Sequence, residues 1–198
     1  MSFKKVGTPF KEFVDVELWK RPGDGHNTVV VRATDSVAGL LYDVRKERAL
    51  LVRQPRATMI RDNNPQGMIL ECVAGRFDVD LGPKALLVKE AFEEAGVVIT
   101  EDDVELLNNG VPMALSAGVL TERAYLGFAE IETDKLVGDD DDVFGAEGEG
   151  ETIQHVWIPV DILFNSTFED VRVMALVLYL RLRLMTEQMN ALTDQLGI

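Results

Sequence analysis

The chain has 198 residues, a single cysteine and a formal net charge of −14. This length fits one domain, because a single hydrophobic core can serve a chain of up to roughly 250 residues. An excess of 34 acids over 20 bases argues against a nucleic-acid binder, which needs clustered Lys and Arg to neutralise phosphates. The longest uninterrupted apolar stretch, Val173 to Leu180, is far shorter than the roughly 18 residues that cross a bilayer. Together with the unpaired Cys72 and an N-terminus without an apolar signal region, these features predict a soluble cytoplasmic protein without nucleic-acid or membrane partners.

The first third of the chain has the composition of β-structure. A strand is predicted from Phe10 to Lys20 and a second from Thr28 to Ala33, because the glycine-rich turn between them is typical of a hairpin. A further strand pair is predicted at Val37 to Tyr42 and Ala49 to Arg53. We therefore divide the chain into an N-terminal β-strand region, residues 1–36, and a main domain, residues 37–198.

Later segments mix strands and helices without regular alternation. A strand is predicted at Met68 to Val73, and a helix from Pro83 to Ala95 has Pro in its first turn and Gly96 just past its end. A long helix is predicted from about Phe168 to Leu192. Four more strands are predicted, at Val97 to Thr100, Val111 to Leu115, Arg123 to Ile131 and Gln154 to Ile158. This order indicates an α/β fold with a mixed sheet and helices packed on its faces.

The predicted helix at residues 83–95 carries three glutamates on one face. At 100° per residue, Glu90, Glu93 and Glu94 fall within one side of the helix, whereas Ala91, Phe92 and Ala95 are expected to pack on the core. Like charges at these spacings repel, and the macrodipole disfavours anions in a last helical turn. A divalent cation would resolve the conflict, and an all-oxygen carboxylate site suits Mg²⁺ or Mn²⁺.

The stretch from Gly75 to Val97 resembles the signature of the Nudix hydrolases. That signature is Gly, five residues, Glu, seven residues, Arg-Glu, an aliphatic, any residue, Glu-Glu, any residue, Gly and an aliphatic. Here the last part reads Lys89-Glu90-Ala91-Phe92-Glu93-Glu94-Ala95-Gly96-Val97. Leu81 stands where the signature has its first Glu, and Lys89 stands where it has Arg.

The resemblance extends from about Leu40 to Leu182 and points to the ADP-ribose and GDP-mannose pyrophosphatase branch. It is carried by five further motifs, at Leu51 to Arg56, Glu71 to Gly75, Ser116 to Gly118, Thr121 to Arg123 and Glu149 to Ile153. It implies the Nudix fold, a mixed β-sheet sandwiched between α-helices, here with the N-terminal β-hairpin region added. It also implies a homodimer, for which residues 1–36 are an expected contact. Met174, Leu178 and Leu182 on the last helix are interpreted as core or dimer contact.

The same resemblance implies a metal site. Glu90 and Glu94 match the carboxylates that hold Mg²⁺ in this family, with Mn²⁺ as an alternative. The carbonyl of Ala74 matches a backbone ligand, and Glu93 matches a carboxylate that helps through a water. Glu149 and Glu151 match an additional metal ligand and the general base, in either order, and Glu147 is a third candidate.

Five residues match substrate-contact positions of the branch. Gly75 and Arg76 line the loop on which the diphosphate lies, and Arg56 faces the substrate phosphates. Glu122 and Arg172 occupy further contact positions. Planar guanidinium groups can bind two phosphate oxygens at once, so these residue types suit a diphosphate.

The resemblance therefore implies Mg²⁺-dependent hydrolysis of the diphosphate bond of nucleoside diphosphate sugars, to a nucleoside monophosphate and a sugar 1-phosphate. Two alternatives stay open. Leu81 departs from the signature, which is also compatible with a Nudix-fold sensor that binds a nucleotide sugar without cleaving it. A Nudix hydrolase acting on another nucleoside diphosphate derivative is the second alternative.

Overall fold

The computed structural model of the chain describes residues 4–11, 15–132, 143–144 and 153–196. Its helices are α1 (Pro83–Ala95), α2 (Val160–Leu163) and α3 (Val171–Leu196), with short 3₁₀ helices at Ala57–Met59, Glu101–Asp103 and Asn108–Gly110. Its strands are β1 (Lys4–Lys11), β2 (Asp15–Lys20), β3 (Asn27–Arg32), β4 (Ser36–Asp43), β5 (Arg48–Pro55), β6 (Met68–Glu71), β7 (Val73–Arg76), β8 (Val104–Leu106), β9 (Met113–Ala114), β10 (Arg123–Ile131), β11 (Val143–Phe144) and β12 (Ile153–Pro159).

Nine of the described strands form one mixed sheet. Its main order is β11-β12-β5-β4-β10-β8, and β6, β7 and β9 pair with β5, β4 and β10 respectively. β4 and β10 run parallel, and the other pairs are antiparallel. All eight residues of β4 are buried, as expected for a central strand that is covered on both faces.

The core lies on both sides of this sheet. Val37 and Leu41 of β4 belong to the cluster formed with α1, and the alternate residues Ala38 and Leu40 belong to the cluster formed with α3. This alternation follows from the period of two along a strand. The sheet is therefore sandwiched between α1 and α3, which confirms the α/β fold class expected from the sequence.

Two glycines let α1 approach the sheet closely. Gly39 of β4 and Gly127 of β10 are paired directly across the parallel ladder. A Cβ at either position would lie 2.5 Å from a δ-carbon of Leu87, which is fully buried. The two glycines therefore form a slot for Leu87, and this contact sets the position of α1 and its glutamates over the sheet.

The sequence placed most elements within a few residues of their observed bounds. The range predicted for α1 matches the structure, and the Gly96 amide bonds to the carbonyls of Ala91 and Phe92 beyond the helix end. The strand predicted at Val97 to Thr100 is wrong. The backbone of this segment is hydrogen-bonded to nearby residues and not to a neighbouring strand. The Val97 amide donates to the Ala91 carbonyl, and Thr100 forms a capping box with Asp103.

Three other expectations need correction. The single strand predicted from Phe10 to Lys20 instead spans the end of β1 and the whole of β2, which pair with each other antiparallel. The single strand predicted at Met68 to Val73 is two strands, because the chain changes partner at Cys72, from β5 to β4. Phe92 does not pack on the core and is 55% exposed. The buried face of α1 lies next to the glutamate face, and Glu94 is itself buried along with four apolar residues, Leu86, Leu87, Ala91 and Ala95.

The first three strands form a separate antiparallel sheet, in the order β1-β2-β3. Backbone hydrogen bonds connect β3 to the segment before β10, from the Val31 amide to the Val119 carbonyl and from the Thr121 amide to the Val31 carbonyl. The small sheet is thereby tied to residues next to Glu122. In the described part of the chain, no helix is long and apolar enough to span a membrane.

Candidate active site

A cleft of about 960 Å³ opens between α1, the ends of β4 to β7 and the start of α3. All nine predicted site residues that fall in the described ranges line it: Arg56, Ala74, Gly75, Arg76, Glu90, Glu93, Glu94, Glu122 and Arg172. These residues span more than half of the chain, yet the fold brings them to one surface. The remaining predicted site residues, Glu149 and Glu151, lie outside the described residues, as does Glu147.

Glu94 is fixed in the wall of the cleft by two contacts. The Ala74 amide donates a hydrogen bond to Glu94 Oε2 at 2.9 Å, and the Glu94 side chain is buried. His155 Nε2 lies 2.9 Å from the Glu94 carbonyl oxygen. Since a carbonyl can only accept, this nitrogen carries the proton. His155 therefore donates a hydrogen bond to a carbonyl in the last turn of α1, where carbonyls lack a partner within the helix.

Glu90 lies directly over the backbone of Gly75. A Cβ on Gly75 would come within 2.3 Å of Glu90 Oε1, so any larger residue would force this carboxylate out of its observed position. Burial raises the pKa of Glu90, and the charge of neighbouring Lys89 offsets part of that effect. The site thus holds a carboxylate whose charge is poorly solvated, which is a property that a bound cation would relieve.

Lys89 relieves part of the repulsion between the glutamates. Its Nζ lies 2.5 Å from Glu93 Oε2 and 3.4 Å from Glu90 Oε1. The hydrogen bond to Glu93 raises the pKa of Lys89, so the ammonium form is favoured. Within the described ranges, no three His, Cys, Asp or Glu side chains converge closely enough to hold a metal ion.

A second wall of the cleft holds two arginines through one buried carboxylate, Glu71. Arg56 Nε and Nη2 contact Glu71 Oε2 at 2.9 and 2.8 Å, and Arg172 Nη2 donates to Glu71 Oε1 at 3.2 Å. Gln54 Nε2 also donates to Oε2, at 2.8 Å. Glu71 is only 5% exposed, so a buried acid at the end of β6 joins the end of β5 to the first turn of α3.

The geometry of this group leaves one edge of each arginine available. Asp170 accepts from Arg172 Nε and Nη2, with the shortest contact at 2.6 Å. In the described part of the chain, neither Nη1 of Arg56 nor Nη1 of Arg172 has a hydrogen-bond partner. Two oriented guanidinium groups thus line the cleft with free donors, as recognition of an anion requires.

Two other predicted residues lie on the same surface. Ser36 Oγ donates a hydrogen bond to Glu122 Oε1 at 2.7 Å, so the start of β4 orients this carboxylate. Arg76 is exposed at the end of β7 and, among the described residues, has no ion-pair partner. The cleft therefore has an acidic wall on α1, while its other sides carry both arginines and acids.

Sequence reasoning missed the roles of Glu71 and Asp170. Glu71 stands among apolar residues in a strand, and a charged residue in a buried strand is itself a signal that it has a partner. Asp170 stands two residues before Arg172, outside the helix, and its pairing depends on how the chain turns into α3. Only the fold shows that Glu71 holds both arginines and that Asp170 holds Arg172 as well.

The residues of the acidic wall fit a hard divalent cation in their chemistry. Glu90, Glu94 and the Ala74 backbone supply oxygen donors from one side of the cleft, and Mg²⁺ and Mn²⁺ prefer such ligands. Glu90 also lies in the space that Gly75 leaves open.

The chain is similar to proteins named GDP-mannose pyrophosphatase. It is 30% identical to that of Cronobacter sakazakii (strain ATCC BAA-894) over 163 residues, which cover 80% of this chain and 76% of the relative. It is 28% identical to that of Enterobacter sp. (strain 638) over 175 residues, which cover 85% of this chain and 86% of the relative. It is 35% identical to that of Yersinia enterocolitica over 120 residues, which cover 61% of this chain and 57% of the relative. No protein-family model matches the chain.

The similarity covers most of the chain, and the sheet between α1 and α3 has the architecture that the Gly75 to Val97 signature implies. The relatives are hydrolases, and the carboxylates and arginines of the signature and its flanking motifs line one cleft. This chain belongs to the Nudix hydrolase family, in its nucleoside diphosphate sugar pyrophosphatase branch.

Proposed function

We propose that this enzyme hydrolyses the diphosphate bond of nucleoside diphosphate sugars, with Mg²⁺ as its cofactor, to a nucleoside monophosphate and a sugar 1-phosphate. The observation that carries the proposal is one cleft that holds a carboxylate wall on α1 together with two oriented arginines. The names of the relatives favour GDP-mannose as substrate, and ADP-ribose is the second substrate that we propose.

The metal is proposed to bind at Glu90, Glu94, the Ala74 carbonyl and Glu151. Mn²⁺ would suit the same oxygen donors. When bound, the ion would offset negative charge on the diphosphate and lower the pKa of a water. Glu93 is proposed to orient water by hydrogen bonding once its contact with Lys89 is released.

The basic groups are proposed to bind the diphosphate. Arg56 and Arg172 would donate from their free Nη1 atoms to phosphate oxygens, and Glu71 would keep the two guanidiniums in register. Arg76 would add a third cation beside Gly75, where the backbone allows close approach. Glu122 would accept hydrogen bonds from the nucleoside or the sugar.

The general base is proposed to be Glu149 or Glu151, the other acting as metal ligand. Both lie in the acidic segment before β12, outside the described residues. The proposal also includes a homodimer, in which the N-terminal region, residues 1–36, forms a contact.

The experiment is hydrolysis of GDP-mannose, ADP-ribose and UDP-glucose side by side, with Mg²⁺ and with EDTA, and with identification of both products. We expect a nucleoside monophosphate and a sugar 1-phosphate from at least one substrate, in Mg²⁺ only. No turnover combined with nucleotide-sugar binding by calorimetry would instead support the sensor to which Leu81 points. Turnover of other nucleoside diphosphate derivatives alone would support the second alternative.

A further inference from the structure

Strand β12 carries a polar side chain in the row of residues that faces α1. Alternate residues of a strand point to the same side of the sheet, and Ile153 and Trp157 on this side pack into the core cluster formed with α1. His155 lies between them in the same row and is partly buried. A polar group in such an apolar row is expected to have a hydrogen-bond partner, and this one finds it in the last turn of α1.

The partner is the backbone carbonyl of Glu94, whose oxygen lies 2.9 Å from His155 Nε2. This carbonyl is one of the last four of the helix, which have no amide of a following helical turn to accept from. At the same helix end, the Gly96 amide donates to the carbonyls of Ala91 and Phe92. Neither of these two bonds involves residue 94, and its carbonyl accepts instead from a side chain of β12.

Glu94 is thus held at both ends by two different strands. The Ala74 amide of β7 donates to the carboxylate, through Oε2 at 2.9 Å, and His155 of β12 donates to the main chain of the same residue. Since β7 pairs with β4 and β12 pairs with β5, the two donors belong to different parts of one sheet. Fixing the backbone and one carboxylate oxygen restricts where the other oxygen, Oε1, can lie in the cleft.

We propose that His155 is a positioning residue for the proposed metal ligand Glu94. Its imidazole holds the last turn of α1 against β12 and thereby sets the place of the carboxylate. His155 is not among the described residues that line the cleft, so we assign it no contact with metal or substrate. The inference rests on the metal site of the proposed function and adds a residue that lies outside the Gly75 to Val97 signature.

The expected effect of His155 is on metal affinity. Residues that hold a metal ligand from outside the coordination sphere typically contribute about 10- to 100-fold to metal affinity. Without the imidazole, the end of the helix would move while Ala74 still held the carboxylate. We therefore expect His155→Phe, which keeps a ring but has no donor, to weaken metal binding about tenfold. We expect His155→Gln to retain the affinity, because its amide nitrogen can donate from about the place of Nε2.

The test measures Mn²⁺ binding to the full chain without substrate, by the electron paramagnetic resonance of free Mn²⁺. Mn²⁺ alone is used because it suits the same oxygen donors as Mg²⁺. Glu94→Gln identifies the binding event, since it should weaken this site more than either His155 variant does. Tyr179→Phe is the matched control, because it also removes one hydrogen bond, to Glu105 at 2.6 Å, on the other face of the sheet. Unfolding temperatures in EDTA measure the effect of each change on stability.

We expect His155→Phe and Tyr179→Phe both to unfold at a lower temperature than the wild type, and only His155→Phe to bind Mn²⁺ more weakly. Should His155→Phe fail to fold, His155→Asn replaces it in the comparison. Its amide is one carbon shorter than that of His155→Gln, so it should not reach the carbonyl and should bind Mn²⁺ about tenfold more weakly.

Two outcomes would overturn the inference and differ in meaning. Wild-type Mn²⁺ affinity in His155→Phe, or equal weakening in His155→Phe and His155→Gln, would remove the positioning role and leave the metal site in place. A wild type without Mn²⁺ binding that depends on Glu94 would remove the metal site of the proposed function, and the role of His155 with it.

Discussion

At the scale of single residues, Glu71 shows how a buried acid can serve a site that binds an anion. Alone, its charge would weaken phosphate binding. Here it accepts hydrogen bonds from Arg56, Arg172 and Gln54, so it keeps two guanidinium groups oriented. Because the arginines are already held in place, their side chains lose less conformational entropy when the substrate binds.

We expect Glu71→Gln to raise KM about tenfold, equivalent to about 1.4 kcal/mol of binding. The amide keeps the shape but presents one acceptor and a donor to guanidinium groups that themselves only donate. We also expect the free energy of unfolding to fall by about 1–3 kcal/mol, because buried donors lose their acceptor. Steady-state kinetics and chemical denaturation measure the two effects.

The control for this variant is Asp43→Asn. Asp43 is fully buried and accepts from the Arg45 and Lys46 amides and from Arg48 Nε, away from the cleft. The Asp43→Asn substitution should lower the free energy of unfolding without changing KM. Equal rises in KM for both variants would mean that Glu71 acts through stability alone.

Substitution of Gly75 tests whether the room that it leaves for the Glu90 carboxylate matters for the reaction. In Gly75→Ala the new Cβ would fall on the Glu90 carboxylate and displace it. Since misplacing a catalytic group by about 1 Å can cost 10²-fold, we expect kcat/KM to fall by about that factor. Gly118→Ala is the control, because its Cβ would meet no atom within 4 Å. Unchanged kinetics in Gly75→Ala would show that the position of Glu90 is not critical.

At the scale of elements, α1 carries the acidic wall and has an unusual start. Its N-cap is Gly82, which makes no side-chain capping bond, and its first turn contains no acid. Leu81, 39% exposed, stands just before it where the family signature has Glu. The helix is held instead by Pro83 and by the packing of Leu87 between two glycines.

We expect Leu81→Glu to stabilise the protein by about 0.3–1 kcal/mol, because an anion at a helix N-terminus interacts favourably with the macrodipole. Leu81→Gln has the same size without the charge and should give little of this gain. Thermal unfolding at low ionic strength measures both. A loss of stability in Leu81→Glu would show that the leucine makes packing contacts that outweigh the helix-end charge.

The elements also show what sequence reasoning can and cannot reach. The ends of α1 and the whole of β10 were predictable, since Pro83, Gly96 and an apolar run mark them locally. The break at Cys72 was not, because it depends on which neighbouring strand each half pairs with. The burial of Glu94 was missed for a similar reason, as the angle at which α1 sits on the sheet is set by Gly39 and Gly127, far away in sequence.

At the scale of the molecule, the candidate site is assembled from segments between Ala33 and Arg172. The signature predicted the acidic wall because its residues are close in sequence. The arginine wall was predicted only by resemblance, and its organising acid was not predicted, because Arg56, Glu71 and Arg172 meet through tertiary packing. Local patterns therefore predict single groups, and the fold determines how they cooperate.

In the metal-free protein, the buried charge of Glu90 should lower the free energy of unfolding. Burial raises the pKa of Glu90, so the folded state binds its proton more tightly than the unfolded state does. Stability from this group is therefore greatest at low pH and declines as pH rises through the ordinary glutamate value, about 4.3, toward the folded pKa. We expect Glu90→Gln in EDTA to unfold at a higher temperature than the wild type at pH 7, with the difference shrinking toward pH 4.

Added Mg²⁺ should reverse the order of the unfolding temperatures, so that the wild type unfolds at a higher temperature than Glu90→Gln. A cation bound at the ionised carboxylate stabilises the wild type by mass action, and Glu90→Gln lacks that ligand. Differential scanning fluorimetry with EDTA and with Mg²⁺ measures the shift. Equal Mg²⁺ shifts in both proteins would argue that Glu90 does not hold the metal.

The most direct measurement is release of nucleoside monophosphate from GDP-mannose by the wild type and by Glu94→Gln, each with Mg²⁺ and with EDTA. The glutamine can still accept the Ala74 amide, so the fold should persist while the charged ligand is lost. We expect Mg²⁺-dependent release by the wild type and by the control Glu101→Gln, an exposed glutamate outside the cleft, and a rate lower by at least about 10²-fold in Glu94→Gln. An unchanged rate in Glu94→Gln, or equal release in EDTA, would contradict the proposed hydrolase mechanism.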